Sequence, residues 1–295
     1  MDLITIFTPA YNRGHLLPRL YDSLLKQTDR RFEWVIVDDG STDHTQATVA
    51  EWLSYRRIPI TYLKVANGGK HRAINLGVKQ AKGELFFIVD SDDWLAENAV
   101  ERLFFWEQSI RDKKHFAGVA GIRVRPDGSI CGHTFQGDYI DATALERKQY
   151  RIEGDKSEAF YTSVLKRYPF PEIEGETFLT EDVVWERIGY DGFKMRWFND
   201  PIYYCEQGED GLTAQGRTIF ARNPKGYALS VQQKMKFYHQ SFYERILSIY
   251  YYYLEVSASV SMKDAAHYLG ISLFQLKTAY YIQLAKVSIK KFCRR

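Results

Sequence analysis

A chain of 295 residues with 45% hydrophobic and 26% charged content can bury a sizeable core and has the balance of a soluble globular protein, which excludes disordered and fibrous classes. Its three cysteines, Cys131, Cys205 and Cys293, are odd in number, far apart and without zinc-type spacing, so a reducing compartment and no disulfide framework are expected. The net charge of +3 is unevenly spread: eleven Lys/Arg face three Asp/Glu from Lys225 onward, an excess of eight, which leaves −5 for residues 1–224.

The N-terminal MDLITIFTPAYN has no basic leader, and Pro9 and Asn12 arrive too early for a signal peptide. No run reaches the roughly 18 apolar residues of a spanning helix. A cytoplasmic location is expected.

Strand-like runs follow at 3–9, 33–39, 60–65, 84–90 and 116–124, separated by helix-like segments. In the first such segment Leu17, Leu20, Tyr21, Leu24 and Leu25 recur at helical spacing, with Pro18 tolerated in the first turn. Continuous apolar strands between amphipathic helices predict an α/β fold with a mostly parallel central sheet covered on both faces. Residues 126–224 are less regular, with a short helix through Val183, Val184, Glu186 and Arg187 and a strand-like pair at 193–207. From about 225 the chain reads as a helical extension, with an apolar stripe of Tyr243, Ile246, Leu247, Tyr250, Tyr251 and Leu254. The expected division is 1–100, 101–224 and 225–295.

Open sheets of this kind bind ligands beyond the carboxyl ends of their strands. There the sequence places TPAYNR (8–13), DDGSTD (38–43), ANGGKHR (66–72) and DSDD (90–93) on one edge. Asp90 and Asp92, two apart, can face one hard cation if the strand persists. The competing reading makes Ser91 or Asp92 the N-cap of a helix beginning near Trp94, with Asp93 favoured by the helix dipole. Gly40 permits a tight turn, and Ser41 or Asp43 can cap a helix over 44–54. That leaves Asp38 and Asp39 adjacent without a structural need for both. Gly68 and Gly69 let backbone approach a ligand, and Lys70 and Arg72 start a helix whose N-terminus favours anions.

TPAYNR, VDDGSTD, NGGKHRAINLG and FIVDSDDWL, in this order and spacing, resemble the family 2 glycosyltransferases with the GT-A (Rossmann-like) fold. The resemblance is strong over about 1–100 and fainter through 154–182, where it is to bacterial members acting on cell-surface polysaccharides. It divides the GT-A domain into a nucleotide-sugar-binding half (1–100) and an acceptor-binding half (101–224). It implies an inverting transfer from a nucleoside-diphosphate sugar, most often a UDP-sugar, to a saccharide or lipid-linked saccharide. It places Thr8, Pro9, Ala10, Tyr11 and Arg13 around the nucleoside, Asp39 beside Asp38 at the base, and Lys70 and Arg72 near base or diphosphate. Asp90, with Ser91, would meet the ribose, and Asp90 and Asp92 would hold the diphosphate through manganese or magnesium. Asp93 would orient the donor sugar. The attacking hydroxyl needs a carboxylate base, which the resemblance puts at Asp182 or, one residue earlier, Glu181; both also read as an ordinary helix start. Asp155, Lys156, Glu176 and Trp185 are acceptor-side residues by resemblance alone.

The tail supports further expectations. Packing on the core or a homo-oligomer through the C-terminal helices suits its apolar stripe. The terminal KVSIKKFCRR, with Lys286, Lys290, Lys291, Arg294 and Arg295 beside Ile289 and Phe292, suits peripheral contact of 286–295 with the anionic inner face of the cell membrane. Residues 261–281 also resemble a helix-turn-helix around Gly270, but Gln275 and Lys277 are few base readers, so nucleic acid is not the expected partner. Nucleotidyl transfer or phosphohydrolysis at the same nucleotide site is a further alternative, weakened by the lack of a Lys-Ser/Thr phosphate loop.

Overall fold

The computed structural model describes residues 2–206, 216 and 218–292, with side chains through residue 286. Nine strands among them form one sheet: β1 (Ile4–Ala10), β2 (Phe32–Asp38), β3 (Ile60–Lys64), β4 (Leu85–Ile88), β5 (Trp94–Leu95), β6 (Phe116–Val124), β7 (Tyr139–Ala142), β8 (Lys156–Tyr161) and β9 (Lys194–Tyr204). The helices are α1 (Leu17–Leu25), α2 (Thr45–Tyr55), α3 (Lys70–Gln80), α4 (Ala99–Gln108), α5 (Thr162–Arg167), α6 (Asp182–Tyr190), α7 (Thr218–Arg222), α8 (Pro224–Phe237), α9 (Phe242–Val256), α10 (Met262–Tyr268) and α11 (Leu273–Phe292).

The strand order is β3-β2-β1-β4-β8-β6-β9-β5, with β7 also pairing β9. The β3-β2-β1-β4 half is parallel, whereas β8 runs antiparallel to both β4 and β6. Every residue of β2 and all but one of β1 are buried, which is why these strands read as unbroken apolar runs. On one face Tyr21, Trp34 and Trp52 stack at centroid separations of 4.4 to 6.2 Å, tying α1 and α2 to β2. Gly77 lets α3 lie close on β1: a Cβ there would meet the Phe7 ring at 2.3 Å.

Contacts group the chain into two compact units, Met1–Pro171 with Ile188–Gly208, and Glu172–Arg187 with Glu209–Arg295. The first contains the sheet. The second has its own core, in which Ala228, Ile246, Ile249, Tyr252, Val256, Ala265, Leu269 and Leu276 are buried.

Several expectations change. No helix begins near Trp94: Trp94–Leu95 instead pair antiparallel with Tyr203–Tyr204, and α4 starts at Ala99 with Asn98 as its N-cap. The acids of DSDD therefore do not cap a helix. The strand-like pair at 193–207 is one strand, β9, which carries Pro201 through a register shift against β6. Cys131 and Cys205 are joined as a disulfide, their Cα atoms 7.8 Å apart, against the expectation of none. The cause is long-range: Cys131 and Cys205 donate backbone N–H bonds to Arg123 and Val124, so both segments flank the end of β6. Cys293 lies outside the described residues.

In the second unit the buried stripe of α9 is Ile246, Ile249, Tyr252 and Val256; Tyr243, Tyr251 and Leu254 of the expected stripe are exposed, the amphipathic rings of the two tyrosines tolerating water. Residues 261–281 do form two helices around Gly270 at φ +64. Gln275, however, accepts from the Ser272 N–H at 2.8 Å and so closes the first turn of α11. Side chains 287–292 and residues 293–295, which carry most of the expected membrane contact, lie outside the described residues. No described helix is long and apolar enough to cross a membrane.

Candidate active site

The four strand-end segments of the first unit are joined by direct contacts. Asn12, at φ +55 just beyond β1, accepts through its side-chain oxygen from the N–H groups of Thr42 (2.8 Å) and Asp43 (3.3 Å). Ser41 accepts from Asn12 N–H at 2.8 Å, and Asp43 from Gly14 N–H at 3.1 Å. The TPAYN and DDGSTD loops are thus laced together.

Asp38 and Asp39 have different jobs. Asp38 is fully buried, accepts from Ser41 N–H at 2.6 Å and takes the Tyr62 hydroxyl, so the structure supplies the need for it that the sequence leaves open. Burial of Tyr62 and its hydrogen bond to the Asp38 carboxylate push that phenol well above its usual range. Asp39 accepts from both Gly68 N–H (2.7 Å) and Gly69 N–H (2.8 Å), fixing the glycine loop. Burial pushes the Asp39 carboxyl up, and the two amide bonds oppose that shift. Gly69, at φ +97, then starts α3, whose first residue is Lys70.

Lys70 reaches Asp90 at 2.6 Å. Arg123, from the end of β6, approaches the other Asp90 oxygen at 3.2 Å and Asp93 at 3.6 Å while lying 4.2 Å over the Tyr203 ring. The Tyr203 hydroxyl donates to Asp93 at 2.7 Å and accepts from Asp90 N–H at 2.9 Å. Burial pushes Asp90 up, but the Lys70 and Arg123 cations outweigh it and hold the carboxyl well below the usual carboxylate range. Asp93, desolvated and beside Asp90, is pushed up to about 7. Arg19 of α1 donates to the Asp92 carbonyl, pairs with Glu206 and lies 4.0 Å over Trp94. The turn is therefore held from three sides.

Asp92 differs from its neighbours. Among the described residues its half-buried carboxylate has no hydrogen bond or ion pair. No group of three or more His, Cys, Asp or Glu is arranged to hold a metal among the described residues. One open carboxylate beside a paired one nevertheless fits a hard cation that completes its shell with water and phosphate oxygens. The remaining donor-side residues fall along the same edge: Thr8 is buried and accepts from the Trp34 indole at 2.9 Å, Pro9 is half-buried, Ala10 and Ser91 are buried, Tyr11 is 48% exposed, Arg13 is half-buried, and Arg72 donates to Gly68 O at 3.2 Å.

Of the residues expected on the acceptor side, Asp155 is exposed, whereas Lys156 is buried at the start of β8. Desolvation and nearby Arg147 lower the Lys156 ammonium to about 8. The others belong to the second unit. Both Glu176 oxygens accept from the first turn of α8, Lys225 N–H at 2.8 Å and Gly226 N–H at 2.7 Å, so this side chain caps a helix. Glu181 and Trp185 are half-buried on α6 or just before it. Asp182 takes the Thr180 hydroxyl and an ion pair from Lys234 at 2.5 Å.

The model of glycosyl transferase family 2 matches residues 5–120. Glycosyltransferase GlyG of Streptococcus pneumoniae is 37% identical over 215 residues, 68% of this chain and 70% of that protein. The chain belongs to glycosyltransferase family 2. It is thus a glycosyltransferase enzyme with a mixed α/β sheet domain and a helical C-terminal region. It is also 33% identical over 103 residues to poly(ribitol-phosphate) beta-N-acetylglucosaminyltransferase TarS of Staphylococcus aureus, matching 34% of this chain but 18% of that one. The S. aureus TarS 1-349 structure in complex with UDP-GlcNAc has a TM-score of 0.64 at 20% identity, covering 95% of this chain and 92% of that one. A mannosyltransferase of Pyrobaculum calidifontis, solved with GDP-Man and Mn2+, has a TM-score of 0.55 at 19% identity and covers 97% and 79% of the two chains. Such distant likenesses speak for the GT-A fold.

Arg19, Arg123, Tyr203 and Glu206 were not singled out from the sequence. Arg123 left one signal, a lone cation near the end of the apolar run FAGVAGIRV on the ligand edge. Tyr203 left none, because its place depends on β9 lying beside β6 and β5.

Proposed function

We propose that this enzyme moves a sugar, with inversion, from a nucleoside-diphosphate sugar, UDP-sugar in preference, to a hydroxyl of a saccharide or lipid-linked saccharide in cell-surface polysaccharide synthesis. The observation that carries the reading is the Asp92 carboxylate, unpaired among the described residues, beside the Lys70–Asp90–Arg123 cluster at the strand ends. The TarS complex with UDP-GlcNAc and the similarity to GlyG support it.

Asp39, Tyr11 and Arg13 would receive the nucleoside. Lys70 and Arg72 would hold negative charge on the diphosphate as the glycosidic oxygen departs. When bound at Asp92, a magnesium or manganese ion supplies further neutralisation of that leaving group. Asp90, fixed by Arg123, would orient the ribose. The acceptor hydroxyl, attacking the anomeric carbon opposite the leaving diphosphate, gives its proton to Asp182, with Glu181 as the alternative base. The enzyme would work at the cytoplasmic face of the membrane, with residues 286–295 as peripheral contact and the C-terminal helices as an oligomer surface.

A donor screen that measures nucleoside diphosphate release with and without manganese tests class, donor and metal together. UDP release from one UDP-sugar that requires manganese is expected. Monophosphate as product, or full activity after exhaustive chelation, would sink the transfer reading or the metal respectively.

A further inference from the structure

Asp182 opens α6, and three side chains converge on it within its own compact unit. The Thr180 hydroxyl donates to Oδ1, the Ser230 hydroxyl lies 3.5 Å from Oδ1 and 3.4 Å from Oδ2, and Lys234 Nζ lies 2.5 Å from Oδ2. Ser230 and Lys234 are four residues apart on α8, so one helix face presents both. The other charged or titratable groups near this ammonium are Glu186, one turn further along α6, and Tyr227 on α8; Tyr238 donates to Glu186 at 2.9 Å. Burial pulls the Lys234 ammonium down, but the paired Asp182 carboxylate, with Glu186 as a lesser influence, outweighs it and raises its pKa.

An ionised carboxylate has about four acceptor positions. Among the described residues Thr180 and Lys234 take one on each Asp182 oxygen and the Ser230 hydroxyl lies between the two oxygens, which leaves one direction open. Part-exposed ion pairs add little to folding stability, so the arrangement is better explained by what it does to orientation. We propose that Lys234 is a positioning residue for the catalytic base: with Ser230 it turns the Asp182 carboxylate so that its remaining acceptor position meets the attacking hydroxyl. The inference rests on Asp182 being the base and adds the device that aims it.

The test uses the 295-residue chain with manganese and the UDP-sugar that gives UDP release in the donor screen, and reads kcat as UDP release. Lys234→Met should lower kcat on the order of 10²-fold, the cost of a misaligned reacting group, while UDP affinity, measured by calorimetry, stays within about twofold. Lys234→Arg, which keeps a cation of similar reach, should recover most of the turnover. Because Lys234 acts through Asp182, the Asp182→Asn, Lys234→Met double variant should be no slower than Asp182→Asn alone. An unchanged far-UV circular dichroism spectrum and thermal midpoint show that each variant is folded in both compact units; if Lys234→Met shifts either, Lys234→Gln takes its place in the same cycle. Full activity in Asp182→Asn would remove the base assignment and the proposal together. An inactive Asp182→Asn combined with wild-type turnover in Lys234→Met, or losses that multiply in the double variant, would overturn the role of Lys234 and leave the base in place.

Discussion

At the scale of single residues, Tyr203 is the buried hinge pin of the DSDD turn, because one hydroxyl satisfies both Asp93 and the Asp90 N–H. Removing it by Tyr203→Phe leaves a buried carboxylate and a buried amide each short of a partner, a cost of about 1–3 kcal/mol. The expected outcome is a lower melting temperature together with roughly tenfold weaker UDP binding in manganese, since 1.4 kcal/mol is tenfold. Unchanged UDP affinity in a destabilised variant would show that the turn is not part of donor binding. Lys156 makes a different prediction. Its folded pKa of about 8 lies below the usual lysine value of 10.5, so between these two pH values the unfolded chain binds the extra proton and stability rises with pH. Below about pH 8 the penalty for a charged, buried ammonium is present in full, to an upper limit of about 3 kcal/mol. Urea unfolding of wild type and Lys156→Met should therefore show the variant gaining on the wild type as pH falls from 10 to 7. A pH-independent difference between the two would refute the depressed ammonium.

At the scale of elements, helix ends and close approaches decide what each motif does. Gly77 closes the NGGKHRAINLG motif, and its place against Phe7 explains it without any ligand. Gly77→Ala would raise helix propensity yet force α3 off β1, an overpacking cost of about 1–3 kcal/mol. Because Asp39 and Asp90 grip the start of the same helix, the displacement should also raise the donor KM. A variant more stable than wild type would mean that the Phe7 ring yields without cost. Glu176 illustrates the converse, a residue expected on the acceptor side whose two oxygens cap a helix. Glu176→Gln removes the charge at the N-terminus of α8 and one of two amide acceptors, so a loss of about 1–2 kcal/mol in chemical denaturation is expected. Acceptor KM in that variant separates the two roles, since a cap alone leaves it unmoved.

At the scale of the whole molecule, what could be read from the sequence was what local pattern controls. The parallel β3-β2-β1-β4 half announces itself because its strands are buried on both faces, and the polar segments at its carboxyl edge follow from that order. What escaped depends on partners distant in the chain: Trp94–Leu95 is a strand only because β9 returns beside it, and Arg123 and Tyr203 become parts of the site only through β6 and β9. The segment after Pro171 is the largest such case. Thr177 and Phe178 donate N–H bonds to the Asn223 side chain, Glu176 caps α8, Phe178 meets the Phe220 ring, and Asp182 and Glu186 bind Lys234 and Tyr238. Residues 172–187 are therefore built into the same compact unit as the C-terminal helices. A chain ended at Glu206 would keep the sheet but strip these contacts from Glu176, Phe178, Asp182 and Glu186, leaving apolar and charged groups without cover. The expected result is loss of a monodisperse peak in size-exclusion chromatography and a broadened thermal transition. A monodisperse 1–206 chain melting within a few degrees of the full chain would instead make the helices an appendage, and would detach the candidate base from the fold that now orients it.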